Sequence, residues 1–365
     1  MAAYITESRL AGLRHLTITG ERYDAFKALG QLTAEPIAAV QSRLPEREGL
    51  LAWRSTPHGR TRFDELVDAT ARTHSPELKE LEALAEGAGL PFEDLLLANL
   101  RGDIGTGDGT GCTDLAWRGS RAFVAHNEDA APALDGYMMF LTLRMDGDVP
   151  VTALWYPGFV PANAFTINGH GVGWGINHIQ VVDPPVAVGR HFVARGAQQA
   201  ATADEVAAYL RDHPTAGGFA YTIGDTTTGT VIVAESAAGQ VNTTSLTPER
   251  PFEWHTNHLK FLPSSIDRGS LNAAGSATRQ LGGYEESQAR GAALTTAGPP
   301  AEEPDVDWFI DTLSGRPLPR GVHRTAAGTD PLMTLCSVVL DLDRAELTAR
   351  GHSGTQESVP LAQLH

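Results

Sequence analysis

The stretch GTGDGTGCTDLAWRGSRAFVAHNED, residues 105–129, decides how this chain reads. A glycine-rich run from Gly105 to Gly111 ends at Cys112-Thr113, a strand-like segment follows, and the polar cluster His126-Asn127-Glu128-Asp129 comes next. The only other cysteine is Cys336. A pliant loop ending in Gly-Cys ahead of a strand suits a chain that cuts itself. If the bond before Cys112 breaks, that residue gains an α-amine beside its own thiol. Such an amine has a pKa of roughly 7.7–8.0, so part of it is neutral at pH 7 and can take the thiol proton. One residue then supplies both nucleophile and base. Glycine at position 111 suits the strained backbone that attack by the sulfur on the preceding carbonyl requires. The blander alternative is a buried structural cysteine, which is the reading for Cys336, set in an apolar strand pattern.

Outward from this stretch the texture differs on the two sides. Residues 31–44 and 62–99 carry apolar side chains at three- and four-residue spacing and are predicted helices, with breaks at Ser75-Pro76 and at 87–91. Beyond Gly111, segments 121–126, 138–145, 150–156, 164–168 and 171–179 are short, β-rich and bounded by turn residues. Helical pattern returns at 192–212, with a Thr202-x-x-Glu205 cap signal. Strands are expected at 218–224, 229–235 and 239–244, helices at 280–293 and 305–313, and strands again at 333–341 and 345–350. Residues 294–304 look most like a linker. Strands meet at hairpin signals such as Asp146-Gly147-Asp148 and 225–229 more often than across helices. The class is therefore α+β, with antiparallel sheets packed together and helices outside.

The bulk numbers bound the partners. The chain has 365 residues, 42% of them hydrophobic, and a net charge of −16. An acidic surface repels nucleic acid and anionic membrane, so neither is expected as a partner. No stretch approaches the ~18 apolar residues of a membrane helix. Two distant cysteines make no disulfide framework, and the first twenty residues lack a basic, apolar export pattern; a cytoplasmic enzyme is expected.

Other residues can carry chemistry. Asp129 can orient the amine or the thiol, or sit in an ordinary Asx turn after the strand. Asn257, in Trp254-His255-Thr256-Asn257-His258, can donate to an oxyanion, and Asn177 is a second such donor. His255 and His258 invite a zinc reading, but no cysteine or acidic third ligand lies near them in sequence. The glycine-dense 167–177 lacks the order of a phosphate loop and reads as a tight hairpin. No G-x-S-x-G elbow exists. Trp155, Tyr156, Phe159, Phe165 and Trp174 are apolar candidates for the site's surroundings, or plain core.

Taken together, residues 83–91 (ALAEGAGLP) with 95–100, Gly111-Cys112-Thr113, Asn127-Glu128-Asp129, Asn168-Gly169-His170-Gly171 and His255-Thr256-Asn257-His258 resemble the N-terminal-nucleophile (Ntn) hydrolases. The likeness is in particular to the acyl-coenzyme A:aminopenicillanic acid acyltransferase family, the isopenicillin N acyltransferase-like proteins. Choloylglycine and penicillin V hydrolases are more distant. The resemblance implies a four-layer αββα sandwich of two antiparallel sheets. It implies cleavage between Gly111 and Cys112, giving a helical pro-segment 1–111 and a catalytic chain 112–365 that stay associated in one fold. By the same match Cys112 is the nucleophile, Asp129 orients it, and Asn257, with Asn177, lines the oxyanion hole. The family's later catalytic arginine has two candidates, Arg279 and Arg324. Where choloylglycine hydrolases have an arginine before Asn-x-Asp, this chain has His126, as the acyltransferase side of the superfamily does. The implied substrate is a small-molecule amide or acyl-CoA, with no metal or organic cofactor; a homo-oligomer is compatible with all of this. The rival is an unprocessed protein of the same sandwich fold, non-catalytic or binding zinc through His255 and His258.

Overall fold

The computed structural model describes residues 3–105, 111–162, 164–268, 281–328 and 330–365, the side chains of 281–283 excepted. Arg279 and the glycine-rich run 106–110 lie outside the described residues.

The chain opens with a hairpin, β1 (Tyr4–Leu10) and β2 (Leu13–Gly20), then a helical block: α1 (Arg22–Leu32), α2 (Ala34–Arg43), α3 (Arg47–Ser55), α4 (Pro57–Thr73), α5 (Ser75–Ala88) and α6 (Phe92–Asn99). Strands β3 (Thr113–Arg118), β4 (Ala122–Ala130), β5 (Met139–Met145), β6 (Val151–Trp155), β7 (Phe165–Asn168) and β8 (Val172–Ile179) follow. Helices α7 (Arg190–Ala197) and α8 (Ala203–Asp212) precede β9 (Gly218–Asp225), β10 (Val231–Ala237), β11 (Gln240–Ser245) and β12 (Phe252–His255). After α9 (Ser265–Arg268), α10 (Leu281–Ala297) and α11 (Val306–Ser314), the chain ends with β13 (Met333–Asp341), β14 (Glu346–Gly351), β15 (Gln356–Pro360) and α12 (Leu361–Leu364).

The strands form two sheets, in the orders β1-β2-β5-β6-β7-β8-β9-β10-β11 and β12-β3-β4-β13-β14-β15. Their facing sides share one core, in which Val124, Val338 and Leu340 of the smaller sheet meet Phe140, Leu154, Phe165 and Val233 of the larger. On the outer side of the larger sheet, Phe26, Leu29, Leu81, Leu84 and Leu95–Leu97 pack on Leu16, Ile18, Leu141, Leu143 and Trp155. Val193, Val206 and Leu210 of α7 and α8 cover Trp174, Tyr221 and Ile232. Leu294 of α10 and Phe309, Ile310 and Leu313 of α11 cover Leu115, Phe123, Ala125 and Val339 on the smaller sheet. This is the expected αββα layering. Because β5 is buried on both faces, alternate residues enter different cores, which explains its nearly unbroken apolar run.

Local signals account for many boundaries. Thr202 Oγ1 accepts from Glu205 N at 3.1 Å, as the cap pattern predicts, and splits the expected 192–212 helix into α7 and α8. Asp305 Oδ1 caps Trp308 N at 3.0 Å and starts α11. Both hairpin signals join antiparallel neighbours, β5–β6 and β9–β10.

Four expectations need correction. The larger sheet is not wholly antiparallel: β2 and β5 run parallel, because the chain leaves β2 through six helices and two strands of the other sheet before returning beside it. Segment 1–111 is not only helical, since β1 and β2 extend the nine-stranded sheet. The 294–304 stretch is not all linker, because α10 continues to Ala297. Finally, the strand expected at 121–126 does not stop before an Asx turn at Asp129: β4 runs on to Ala130, paired with β13.

Candidate active site

That last correction governs the site. In a strand, successive side chains face opposite sides, so His126 and Glu128 share one face and Asn127 and Asp129 the other. Cys112, 8% exposed, stands just before β3, which pairs Thr113 with Asn127 and Asp114 with His126. Its Sγ donates to Glu128 Oε2 at 3.2 Å. The same carboxylate oxygen lies 3.0 Å from His126 Nε2, and Tyr156 Oη donates to Glu128 Oε1 at 2.8 Å. His126 Nδ1 meets Asp114 Oδ1 at 2.6 Å. An unbroken polar chain, Asp114–His126–Glu128–Cys112, thus runs between the sheets. Gly175 of β8 leaves room for it: a Cβ there would lie 2.6 Å from Asp114 Oδ1 and 2.8 Å from His126 Nδ1.

The thiol's side-chain partner is therefore Glu128, where the sequence reading had Asp129. Asp129 lies on the other face of β4. Thr334 Oγ1 donates to its Oδ1 at 2.6 Å, and its buried Oδ2 has no hydrogen-bond partner among the described residues. Opposite this pair of acids, the β4–β13 register slips between Thr334 and Cys336, a local irregularity of the kind that re-aims side chains beside sites. Gly111 packs onto Asp129: a Cβ on it would come within 2.7 Å of Asp129 Cβ and 2.8 Å of Leu332 Cδ1. Glycine is needed here for close approach rather than for a left-handed backbone.

The Cys112 main chain is gripped from the other side by Arg290 on α10, a residue the sequence reading missed. This fully buried guanidinium donates to Cys112 O at 2.5 Å, to Thr113 Oγ1 at 2.8 Å and to Asn257 Oδ1 at 2.6 Å. It is paired with Glu286 at 2.7 Å. Arg324 joins the same acid at 2.8 Å, and its charge reaches Asp129. Asn257 also donates through Nδ2 to His178 O at 3.0 Å. Asn177 donates to His255 O at 3.2 Å, in the strand next to this cluster, and its Oδ1 has no partner among the described residues. Of the expected site residues, Cys112, Asp129, Asn257 and Arg324 thus gather around one junction, Asn177 lies beside it and Arg279 is outside the described residues.

His255 and His258 each bond to a partner of their own. His255 Nε2 meets Glu235 Oε1 at 2.9 Å, and His258 Nδ1 meets Ser287 Oγ at 2.8 Å. Among the described residues, the group of three Cys/His/acid donors close enough together to share an ion is Cys112, His126 and Glu128, within 4.8 Å of one another, and its members already hydrogen-bond among themselves.

Electrostatics divides the roles. Burial, then the carboxylates of Glu128 and Asp129, push the Cys112 thiol well above its ordinary value, so in this uncut chain the proton stays on sulfur. Burial pushes Asp129 up to about 7, against the pull of Arg290, Thr334 and Arg324. Burial pulls His126 down, but hydrogen bonds and charge from Asp114 and Glu128 outweigh it and raise His126 to about 9. A raised histidine stabilises the fold fully below its unfolded value of about 6.5, and that stability is lost as pH climbs through the folded value. We expect the melting temperature to fall between pH 7 and 9, reflecting up to about 3 kcal/mol. His126→Gln should flatten that slope in thermal melts across the range; an equally steep fall in the variant would refute the assignment.

With this geometry in hand, comparisons with known proteins can be set beside it. The sequence profile of the acyl-coenzyme A:6-aminopenicillanic acid acyl-transferase family matches residues 117–353, starting just past Cys112. A beta-alanyl-dopamine/carcinine hydrolase from Drosophila melanogaster is 23% identical over 189 residues, 46% of this chain and 49% of that protein, so the match spans about half of that relative's length. A conjugated bile acid hydrolase from Clostridium perfringens superposes with a TM-score of 0.43 at 14% identity, over 69% of this chain and 93% of that one. For penicillin V acylase from Agrobacterium tumefaciens the values are 0.39, 13%, 69% and 87%. Among the described residues no helix is long and apolar enough to cross a membrane. The chain belongs to the acyl-coenzyme A:6-aminopenicillanic acid acyl-transferase family.

Proposed function

We propose that this protein is a self-processing amidase or acyltransferase whose nucleophile is Cys112. The observation that carries the reading is the surroundings of that residue: an acidic oxygen 3.2 Å from its sulfur and a buried guanidinium on its carbonyl. Cys336 shows what a structural cysteine looks like here. It is 1% exposed, bonds only weakly to a main-chain oxygen 3.7 Å away, and burial pushes its thiol up to about 12.

Cleavage between Gly111 and Cys112 releases an α-amine next to Asp129, whose Oδ2, without a partner among the described residues, is suited to hold it. The amine then takes the thiol proton, and the thiolate attacks an amide carbonyl. Asn257, fixed by Arg290 on one side and His178 O on the other, keeps one amide hydrogen for the developing oxyanion. A thioester acyl-enzyme forms, and water or an amine resolves it. Segments 1–111 and 112–365 stay joined after cleavage, because β1 and β2 belong to the same sheet as β5–β11. The substrate class is a small N-acyl amine, an acyl-peptide or an amide intermediate of a natural-product pathway, handled in the cytoplasm without metal or organic cofactor.

The test is release of free amine from a panel of N-acyl amines, with and without an added acceptor amine. Release by wild type that is absent in Cys112→Ala supports the reading. Release that survives the substitution, or none from any member of the panel by a chain already cut at 111/112, contradicts it.

A further inference from the structure

Self-cleavage raises a problem that turnover does not. Before the bond breaks, the Cys112 nitrogen is a peptide nitrogen and has no basicity. The base that serves the mature enzyme does not yet exist, while burial and nearby carboxylates hold the proton on the sulfur. Some other group has to remove it.

We propose that Glu128 is the general base of the processing step: it takes the Cys112 thiol proton in the uncut chain and delivers it to the Cys112 nitrogen. This rests on the reading that the chain cuts itself between Gly111 and Cys112. Glu128 Oε2 is the side-chain oxygen that receives the Sγ–H bond, at 3.2 Å. Behind it stands His126, whose two ring nitrogens are bonded to Glu128 and Asp114. Hydrogen bonds and charge from Asp114 and Glu128 hold the proton on His126, so an imidazolium 3.0 Å away faces the oxygen that receives the thiol proton. Tyr156 Oη, donating to Oε1 at 2.8 Å, fixes the carboxylate's orientation and leaves Oε2 to be shared by His126 and the sulfur.

Every element packed against Glu128 fits this role. Asp114 comes from β3 and His126 from β4, Tyr156 follows β6, and Cys336 of β13 lies across the sheet with its own proton retained. Asp129 adds negative charge from the opposite face, where Arg290 and Arg324 offset it. Gly175 on β8 is the position whose missing side chain makes space for the Asp114–His126 contact. Asp129 serves the mature amine, Glu128 the precursor thiol, and strand alternation keeps the two acids apart.

The step balances. The Sγ–H proton moves to Glu128 Oε2, and the sulfur's electron pair forms a bond to the Gly111 carbonyl carbon. The tetrahedral adduct collapses as the bond from that carbon to the Cys112 nitrogen breaks, and the nitrogen takes the proton from Glu128. A Gly111–Sγ thioester and a free amine result. One water then hydrolyses the thioester, leaving the Gly111 carboxylate and the Cys112 thiol.

The test follows the fraction of full-length chain cut at 111/112 by intact mass after purification, for wild type, Cys112→Ala, Glu128→Gln and Glu128→Asp. Loss of a general base predicts cleavage at least about 100-fold slower in Glu128→Gln. Its rate should rise steadily with pH as hydroxide substitutes for the lost base, whereas an unfolded chain would not cut at any pH. Glu128→Asp, with a shorter reach, should be slowed less and keep the wild-type pH profile. If Glu128→Gln and Glu128→Asp both cut at the wild-type rate while Cys112→Ala stays whole, the inference fails and the proposed function stands. If wild type itself never cuts, the proposed function fails first.

Discussion

Cys112→Ala is expected to purify as one uncut 38.9 kDa chain and to lose amide turnover by at least about 10³-fold. Both losses follow from one atom, because in this account the sulfur cuts the chain and then attacks the substrate. The fold should tolerate the change. Cys112 sits at the entry to β3, outside the apolar clusters of the sandwich, and removing its sulfur frees Glu128 of one partner while leaving His126 and Tyr156 in place. The melting temperature should stay within a few degrees of wild type. A variant that is cut at 111/112 would remove Cys112 from processing, and one that turns over at more than a tenth of the wild-type rate would remove it from catalysis.

Arg290→Met should have the next largest effect, on stability as well as on chemistry. The guanidinium is fully buried and ties together Cys112 O, Thr113, Asn257 and Glu286. Removing one partner of a buried pair typically costs 3–5 kcal/mol, since the other charge is left without compensation. Glu286 keeps Arg324 at 2.8 Å and is 20% exposed, so the lower end, about 3 kcal/mol, is expected here. The Cys112 carbonyl and the Asn257 amide also lose the group that orients them, and turnover should fall by roughly 10²-fold or more. Arg290→Lys restores the charge without the planar fork, so it should recover more stability than activity. Thermal melts and amine-release rates check both halves. An Arg290→Met protein that melts and turns over as wild type does would show that the grip on Cys112 is incidental.

How far the sequence revealed this arrangement depended on whether the chemistry was local. Gly111-Cys112 and the His126–Asp129 cluster lie within one short stretch, so the proposed nucleophile and its acidic neighbourhood could be read directly. The choice between Glu128 and Asp129 could not, because it depends on strand parity. Ending the strand at His126 removed the alternation that puts Glu128 with His126 on the face that meets the sulfur. Arg290 was hidden for a different reason. Glu286-x-x-x-Arg290 looks like an ordinary exposed helical pair. The signal was the stripe Ser287, Arg290, Leu294, which puts polar residues on the buried side of α10 at helical spacing. The N-terminal hairpin had a readable cue in two β-rich runs around Ala11-Gly12, both with positive φ, at 51° and 84°. The parallel pairing of β2 with β5 had none, since it depends on where the chain returns after six helices. Layer order, the helix breaks near Pro76 and Pro91 and the hairpins at 146–148 and 225–229 were legible because apolar period and turn chemistry are local properties, whereas the breaks at Thr33 and Thr56 were not.

One measurement reaches the central claim most directly: the mass of the purified wild-type chain under denaturing conditions, with sequencing of any new N-terminus. The account predicts two polypeptides, 1–111 and 112–365, the second beginning at Cys112, which elute together until the protein is unfolded. A single 38.9 kDa species at every pH and incubation time, from protein that is folded and has a reduced thiol, would contradict it.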